Sequence, residues 1–232
     1  MPEYAGILLI DKPAAMTSHD VVDVLRRRLG TRRIGHSGTL DPDATGLLIM
    51  LVGKATSLFS QFSQFDKTYE VTLTLGITTS TADAAGTVIA QHEVSAIGRA
   101  EMEKVLDKFR GQILQVPPMV SAKKVNGKKL YVLARQGVEV ERQAQQLMIH
   151  ELLLKDMNLP QVNFSVRCSK GTYVRTLCED IGKAIGCGGH MSRLRRLAIG
   201  PYRLEEAVTL DEVRNMRQEA LLERILTTRF QE

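Results

Sequence analysis

The sequence has no tryptophan and only three cysteines in 232 residues. Cys168, Cys178 and Cys187 are an odd number without the spacing of metal ligands, so neither a disulfide framework nor a metal site is expected. No apolar run approaches the ~20 residues of a membrane span, and the first residues lack the pattern of a signal peptide. These absences argue against secreted disulfide-rich and membrane-spanning classes, and they favour a reduced, cytoplasmic protein.

The chain has instead the composition of a globular protein with a modest excess of basic residues. Hydrophobic residues make up 44% of it, which is ample for a core, and its length allows one large domain or two small ones. Lysine and arginine number 31 against 26 aspartates and glutamates, which gives a net charge of +5. Such an excess favours an anionic partner without identifying one.

The most informative stretch runs from Gly35 to Gly46 and reads Gly-His-Ser-Gly-Thr-Leu-Asp-Pro-Asp-Ala-Thr-Gly. Its glycines allow sharp turns and a close backbone approach to a ligand, and the Asp-Pro step disfavours a long regular element. The apolar run 47–52 follows directly and predicts a buried strand or the start of a helix. Taken alone, Asp41 is best interpreted as a turn or cap residue and His36 as a turn residue, with a reactive role as the alternative.

Hydrophobic periodicity predicts a mixed α and β chain. A helix should begin at Thr17 or Ser18 and end at Gly30. Alternation from Thr68 predicts a half-exposed strand with Tyr69 on its apolar face. The other predicted elements are strands at 6–10, 147–154 and 162–168, helices at 97–110 and 130–136, helices ending near 65 and 185, and the last helices between 210 and 226.

Several stretches, in this order, resemble the motifs of the TruB-type tRNA pseudouridine synthases. The Gly35–Gly46 stretch matches Gly-His-x-Gly-x-Leu-Asp-x-x-Ala-Thr-Gly at every fixed position. The opening Gly-Ile-Leu-Leu-Ile-Asp-Lys-Pro resembles the first motif, although Ala15 stands where the family usually has glycine. Lys-x-Tyr at 67–69, Lys-Gly-Thr-Tyr-x-Arg at 170–175 and Leu-Arg-Arg-Leu at 194–197 resemble later motifs.

The resemblance implies a catalytic set of three side chains. Asp41 is implied to be the key carboxylate, which is ionised at neutral pH because its reference pKa is about 3.9. Arg175 is implied to hold Asp41 ionised and oriented through a charge-assisted pair. Tyr69 is implied to stack on the target base, although the strand pattern alone places it in the core.

Four further side chains are implied to contact the substrate. His36 resembles the residue that fills the space left by the extruded base, and Tyr173 and Leu194 are implied to form pocket walls. Asp83, in the polar loop 78–86, is implied to contact the flipped nucleotide. By their local patterns alone, Leu194 is an ordinary core residue and Tyr173 a surface residue.

Two basic clusters are candidates for contacts with phosphates. Five arginines lie between positions 26 and 33, where the end of a helix dipole also favours them. Four lysines lie around an Asn-Gly turn, and a solvated loop is the alternative interpretation. The resemblance favours an RNA-gripping insertion at about 117–145. The lysines are Lys123, Lys124, Lys128 and Lys129.

The resemblance implies the α+β pseudouridine synthase fold, a mixed, mostly antiparallel central sheet flanked by helices with an active-site cleft across the sheet. It covers nearly the whole chain as one catalytic domain, 1–232, without the C-terminal PUA domain of many members. The implied reaction isomerises uridine to pseudouridine at position 55 in the T loop of tRNA after base flipping, with no cofactor and no metal. The implied partner is the tRNA T stem-loop, with no membrane and no obligate protein partner. A non-catalytic tRNA-binding or tRNA-folding protein is the alternative.

Overall fold

The computed structural model describes residues 5–121, 123–125 and 127–227. The chain divides into two compact units: the first unit comprises residues 1–69 and 194–232, and the second unit comprises residues 70–193. The boundaries fall within two strands, so both strands contribute residues to both units.

Strands and helices are interspersed along the chain, as the periodicity predicts. The strands are β1 (Gly6–Lys12), β2 (Ile34–His36), β3 (Thr45–Val52), β4 (Lys67–Leu75), β5 (Ile77–Thr79), β6 (Val88–Gln91), β7 (Gly111–Gln115), β8 (Lys124–Val125), β9 (Lys128–Lys129), β10 (Gln145–Asn158), β11 (Gln161–Cys168), β12 (Gly189–Ile199), β13 (Tyr202–Arg203) and β14 (Val208–Thr209). The α-helices are α1 (Ser18–Leu29), α2 (Phe59–Gln64), α3 (Arg99–Asp107), α4 (Leu130–Arg135), α5 (Val174–Ile185), α6 (Leu210–Asn215) and α7 (Gln218–Glu223). Short 3-10 helices cover Gly53–Leu58 and Leu204–Glu206.

The sheet of the first unit is built on two strands that are buried on both faces. The strand order is β14-β1-β3-β12, in which β1 is antiparallel to β3 and the β14 and β12 pairings are parallel. One face packs against α1, α6 and α7, and the other packs against α2. Because both faces are covered, β3 is a continuous apolar run rather than an alternating one. The predicted buried segment at 47–52 is therefore a strand and not a helix.

Helix α1 begins and ends where its sequence predicts. Thr17 accepts a hydrogen bond from the backbone N–H of Asp20 (3.1 Å), and the Asp20 carboxylate accepts one from the backbone N–H of Thr17 (2.7 Å). This capping box satisfies two amide groups at the start of the helix. Gly30 ends the helix in the left-handed conformation, with a φ of 65°.

Two of the arginines at the end of α1 make contacts within the protein, and others in the same stretch are exposed. Arg28 donates from Nε to the carbonyl of Val213 (2.9 Å) and from Nη2 to the carbonyl of Met216, so it ties α1 to the end of α6. Arg26 pairs with a carboxylate of its own helix at 3.0 Å. A phosphate contact stays a prediction for the arginines of this stretch that lie exposed. They are Arg27, Arg32 and Arg33.

The sheet of the second unit has the strand order β12-β4-β11-β10-β7, in which β10 is antiparallel to both β11 and β7. Strand β4 alternates as predicted, with Val71, Leu73 and Leu75 buried and the residues between them more exposed. A separate hairpin pairs β5 with β6, and α5 ends at Gly186 as predicted. The prediction of a mixed α and β fold with mostly antiparallel strand pairing is confirmed.

Strand β12 is the longest element that the sequence did not predict. Three arginines lie in its middle, between positions 193 and 196, so no apolar alternation is visible there. Arg196 is nevertheless only 1% exposed, because its guanidinium binds backbone carbonyls of the first unit. A buried cation contradicts the hydropathy pattern from which strands are predicted. The other unpredicted strands include β6 and β7, and β5 occupies the beginning of the predicted polar loop 78–86.

The Gly46→Ala variant will be far less stable than the Gly35→Ala variant. Gly46 has a φ of 100°, and a Cβ there would lie 2.3 Å from the carbonyl oxygen of Arg196 and 2.7 Å from its amide nitrogen. We expect Gly46→Ala to lower the free energy of unfolding by about 2–4 kcal/mol, from backbone strain and from forced separation of β3 and β12. A Cβ on Gly35 meets nothing within 4 Å, so that substitution should cost less than about 1 kcal/mol. Urea unfolding measures both losses, and equal losses would contradict this expectation.

Candidate active site

The signature loop, residues 35–46, comprises the end of β2, the connection 37–44 and the start of β3 in the first unit. The Ala44 amide donates to the Asp41 carbonyl (3.1 Å), so residues 41–44 form a turn that begins at Asp41 and has Pro42 and Asp43 at its centre. Asp41 is half-buried, and Pro42 and Asp43 after it are exposed. Asp41 is therefore the first residue of a tight turn, as its position before proline predicts.

Two buried side chains from outside the loop hold the backbone on either side of Asp41. The Ser18 hydroxyl accepts from the Leu40 amide (2.9 Å) and donates to the Leu40 carbonyl (3.2 Å). The Lys12 ammonium donates to the Pro42 carbonyl (2.9 Å) and to two carbonyls just after β1. The backbone at Asp41 is thereby fixed before any ligand binds, which is the preorganisation that a catalytic group needs.

Lys12 also supplies a positive charge to this turn. Its side chain is completely buried, and burial lowers the pKa of the ammonium group to about 8, while Asp43 and Asp41 act to raise it. Lys12 is therefore mostly protonated at pH 7. A fixed cation at this position stabilises negative charge on the signature loop.

Arg196 is the third buried side chain that holds the signature loop. Its guanidinium donates from Nε to the Leu47 carbonyl (2.7 Å) and from Nη2 to the Gly38 carbonyl (3.1 Å). It also forms a hydrogen bond with the side chain of Tyr69, which is 9% exposed. Burial lowers the pKa of Arg196, and the contact with Tyr69 opposes that shift. Arg196 thus links the Tyr69 side chain to the signature loop at Gly38 and to β3 at Leu47.

His36 lies in the same loop and has a lowered basicity. Burial lowers the pKa of its imidazole, and the positive charge of Arg196 lowers it further. Its Nδ1 atom and the Ser37 hydroxyl are buried without a hydrogen-bond partner among the residues that the structure describes. Buried polar atoms of this kind are rare in native proteins, so both atoms are candidates for contact with a bound ligand.

Acid will weaken the wild-type protein more than the His36→Gln variant. Folding lowers the pKa of His36 below its reference value of about 6.5. At a pH just below 6.5, the imidazole therefore binds a proton in the unfolded chain but not in the folded protein. The stability contributed by the neutral imidazole is therefore complete above pH ~6.5 and is lost as the pH falls below it. We expect the difference in free energy of unfolding between wild type and His36→Gln, from urea titrations, to shrink between about pH 7.5 and pH 5.5.

A wild-type advantage over His36→Gln that grows toward acid pH would contradict the lowered pKa.

In the second unit, the polar loop after β5 and the start of α5 form a buried ion pair. Arg175 donates from Nη1 to Asp83 Oδ2 at 3.2 Å and from Nη2 to the Val120 carbonyl at 2.8 Å. Only 8% of the Arg175 side chain and 15% of the Asp83 side chain are exposed. The other oxygen of Asp83 accepts from the Thr81 hydroxyl (2.5 Å) and the Ala85 amide (3.1 Å). Asp83 therefore anchors Arg175, a role that the sequence did not predict for it.

Tyr173 stands directly before α5 as its N-cap residue. The side-chain amide of Gln115, itself 2% exposed, accepts from the Tyr173 N–H (2.8 Å) and donates to the Tyr173 carbonyl (3.1 Å). This two-point contact fixes the start of the helix and hence the positions of Tyr173 and Arg175. The Tyr173 residue is half-buried, which suits a predicted pocket wall.

The predicted site residues fall into two groups, one in each unit. The predicted pair between Asp41 and Arg175 joins residues of different units, and it stays a prediction. Leu194 is half-buried on β12, two residues before Arg196. The group in the first unit is His36, Asp41, Tyr69 and Leu194. The group in the second unit includes Asp83, Tyr173 and Arg175.

The predicted lysine cluster lies around β8 and β9, which form a two-stranded hairpin with Lys124 opposite Lys129. Lys123 is half-buried, and its carbonyl accepts from the Leu130 amide at the start of α4 (2.8 Å). The side chains of Lys124, Lys128 and Lys129 lie outside the part of the chain that the structure describes. Their contacts with phosphates stay predictions.

Sequence reasoning missed four residues that position the site. Lys12 and Arg196 are buried cations, which no hydropathy pattern indicates. Ser18 was considered only as a helix cap, and Gln115 lies on a strand that was not predicted. The available signal was that Lys12 and Arg196 stand inside two of the stretches that resemble family motifs.

Acidic, histidine and cysteine side chains are scattered rather than clustered. No group of three or more of them could hold a metal ion within residues 5–121, 123–125 and 127–227. In the same part of the chain, no helix has the length and apolar character needed to cross a membrane.

Comparison with known proteins identifies the family. Residues 26–174 match the family model of the TruB family pseudouridylate synthase N-terminal domain, and residues 175–228 match that of the tRNA pseudouridylate synthase B C-terminal domain. The tRNA pseudouridine synthase B of Opitutus terrae is 48% identical over 91% of this chain and 88% of its own length. The protein of that name from Azoarcus sp. is 49% identical over 89% of this chain and 68% of its own length. The chain therefore belongs to the TruB family of pseudouridylate synthases, and the predicted enzyme class, a tRNA pseudouridine synthase, is confirmed.

Solved structures agree on the fold. A chain of a Cbf5-Nop10-Gar1 complex aligns with a TM-score of 0.75 at 26% identity, over 97% of this chain and 60% of that one. A chain of an H/ACA ribonucleoprotein bound to a substrate RNA aligns with a TM-score of 0.67 at 24% identity, over 91% of this chain and 57% of that one. The protein thus spans about 60% of the length of these solved chains. The predicted pseudouridine synthase fold is confirmed.

Proposed function

We propose that this protein isomerises uridine to pseudouridine at position 55 in the T loop of tRNA, with Asp41 as the key catalytic group. Family membership supports the reaction class. The observation that carries the assignment of Asp41 is the fixed backbone around it, where Ser18 binds Leu40 and Lys12 binds Pro42. A surface turn without a function does not require two buried polar side chains to hold it, because burying them costs free energy.

The proposed reaction needs a carboxylate and no outside reagent. The bond from N1 of uracil to C1′ of the ribose breaks, the base turns in the pocket, and a bond from C5 to C1′ forms. The hydrogen on C5 then leaves as a proton and N1 takes up a proton, so the product is an isomer of uridine. Asp41 attacks or stabilises the electron-poor sugar carbon. The signature loop contributes by holding that carboxylate in place, so its orientation is not lost and regained in each reaction.

The target uridine must leave the folded RNA before it reacts. Extrusion of a base costs a few kcal/mol. Contacts of the base with the pocket, and of the protein with the space that the base leaves, offset this cost. We propose that His36 fills the space that the extruded base leaves. Its imidazole has a lowered pKa, and its buried Nδ1 can form a hydrogen bond with a nucleotide. Tyr69, Tyr173 and Leu194 supply surfaces for the extruded base, which suits the recognition of splayed bases in RNA loops.

Arg175 is the proposed partner of Asp41. A guanidinium presents five N–H donors in a planar fork, so one arginine can serve two carboxylates. Asp83 and the Val120 carbonyl fix the orientation of the Arg175 side chain within the second unit. In the proposed site, Asp83 orients Arg175 and Arg175 orients Asp41.

Basic side chains are proposed to bind the RNA backbone. Arg27, Arg32 and Arg33 are exposed and precede the signature loop closely in sequence, and the insertion at about 117–145 carries the lysine cluster. Contacts with phosphates supply sequence-independent affinity, and contacts with splayed bases supply specificity. The proposed partner is the T stem-loop of tRNA, met in the cytoplasm.

Tritium release tests the proposed reaction, because the hydrogen on C5 is lost when the new bond forms. Purified protein is incubated with an unmodified tRNA transcript that carries tritium on C5 of its uridines, and the tritium released to water is counted. We expect the release to reach one equivalent for each tRNA. Binding of the transcript in a gel-shift assay without any release would favour a non-catalytic tRNA-binding or tRNA-folding protein instead.

A further inference from the structure

Arg196 is the largest fully buried side chain among the described residues, and the proposed reaction gives it no role so far. A buried guanidinium is costly unless its donors are satisfied. Within the described part of the chain, its acceptors are the Leu47 carbonyl, the Gly38 carbonyl and the Tyr69 side chain. The cation is thus satisfied by neutral groups, and all of them belong to the candidate site or its flank.

We propose that Arg196 is a positioning residue for pseudouridine formation, holding the Tyr69 side chain and the signature loop in one arrangement. This inference rests on the proposed roles of Asp41 and Tyr69. The two carbonyls that Arg196 binds flank Asp41 in sequence: Gly38 lies before it in the signature loop, and Leu47 lies after it on β3, directly beyond the loop. Because Tyr69 bonds to the same guanidinium, its hydroxyl cannot move independently of the loop.

Packing alone does not account for an arginine at this position. An apolar side chain of similar volume would fill the same space without the cost of desolvating a charge. The preceding residue illustrates the usual arrangement, since Arg195 has 41% of its side chain exposed and pairs with the Asp11 carboxylate at 2.7 Å. The contacts of Arg196 instead fix the relative positions of three groups at the site.

A double-mutant cycle with Tyr69→Phe tests this inference. The kcat and KM for tRNA are measured for wild type, Arg196→Lys, Tyr69→Phe and the double variant. We expect Arg196→Lys to lower kcat by about 10–100-fold and to change KM by less than about threefold. The loss of kcat in the double variant should be at least about fivefold smaller than the product of the two single losses, because both changes disturb one arrangement. Losses that multiply, or a kcat unchanged by Arg196→Lys, would overturn the inference.

Arg195→Lys is the matched control for the cycle, because Arg195 lies on the same strand and pairs with a carboxylate rather than with Tyr69. Any loss it causes should multiply with that of Tyr69→Phe. If the wild-type enzyme is active and the losses of kcat from Arg196→Lys and Tyr69→Phe multiply in the double variant, the positioning role is refuted and the proposed function is not. An inactive wild-type protein refutes the proposed function itself.

Nitrogen-15 NMR of the arginine side chains provides a second test that does not depend on the folding of Arg196→Lys. Tyr69→Phe removes one hydroxyl and leaves the Gly38 and Leu47 carbonyls in place. We expect slowly exchanging guanidinium protons for Arg196 in the wild type, with resonances that shift in Tyr69→Phe. Resonances that are the same in both proteins would overturn the coupling between Arg196 and Tyr69.

Discussion

The Asp41→Asn variant will fold normally and will form pseudouridine at least about 10³-fold more slowly than the wild type. Asparagine has nearly the shape of aspartate but no negative charge, so it can neither attack nor stabilise the electron-poor sugar carbon. The turn should survive, because Ser18 and Lys12 bind the backbone of Leu40 and Pro42. Single-turnover tritium release measures the rate, and circular dichroism with thermal unfolding checks the fold.

Asp43→Asn is the matched control for that experiment. Asp43 lies two residues further along the signature loop and is exposed, and like Asp41 it raises the pKa of Lys12. Its substitution should change the rate by less than about threefold, since no catalytic contact depends on it. A wild-type rate in Asp41→Asn, or an equal loss in Asp43→Asn, would show that the catalytic assignment is wrong.

Arg175→Met will lose both stability and activity, and recovering the stability will not recover the activity. The substitution leaves the buried Asp83 carboxylate without its ion pair at 3.2 Å, which should cost about 3 kcal/mol in the free energy of unfolding. Adding Asp83→Asn removes the orphaned charge and should restore at least about half of that loss. The rate of pseudouridine formation should stay at least about 10²-fold low in both variants, because Arg175 is proposed to orient Asp41. Urea unfolding and tritium release measure the two quantities.

Arg167→Met provides the comparison for Arg175→Met. Arg167 pairs with Glu151 at 2.9 Å on the surface of the second unit, with 42% of its side chain exposed. Losing such a pair should cost at most about 1 kcal/mol and leave the rate near that of the wild type. If Arg175→Met combined with Asp83→Asn regains activity together with stability, Arg175 serves the fold and not the reaction.

Strands β3 and β12 show how much of the fold the sequence could predict. The continuous apolar run of β3 follows from burial on both faces, so a short buried element was predictable there. Helix α1 was predictable because its capping residues, Thr17 and Gly30, act locally. Strand β12 was not, because Arg196 is satisfied by carbonyls 149 and 158 residues away in sequence, and hydropathy treats arginine as a surface residue.

In the candidate site, too, some features could be predicted from the sequence and others depend on contacts between distant residues. Local patterns favoured a turn for Asp41 and a core position for Tyr69, so at the level of the sequence only the motif resemblance predicted catalytic roles for them. The ion pair between Asp83 and Arg175 joins residues 92 positions apart. It depends on the loop after β5 being held against β12, where the Ala84 amide donates to the Met191 carbonyl (3.1 Å). Long-range pairing of this kind leaves no periodic trace in a single sequence.

Nucleotide-resolved mapping of pseudouridine in an unmodified tRNA transcript, after incubation with the wild-type protein, tests the central claim most directly. We expect one modified position, uridine 55 in the T loop, and no modified position after incubation with Asp41→Asn. Pseudouridine at a different position, or an unmodified T loop in a transcript that the protein binds, would contradict the proposed function.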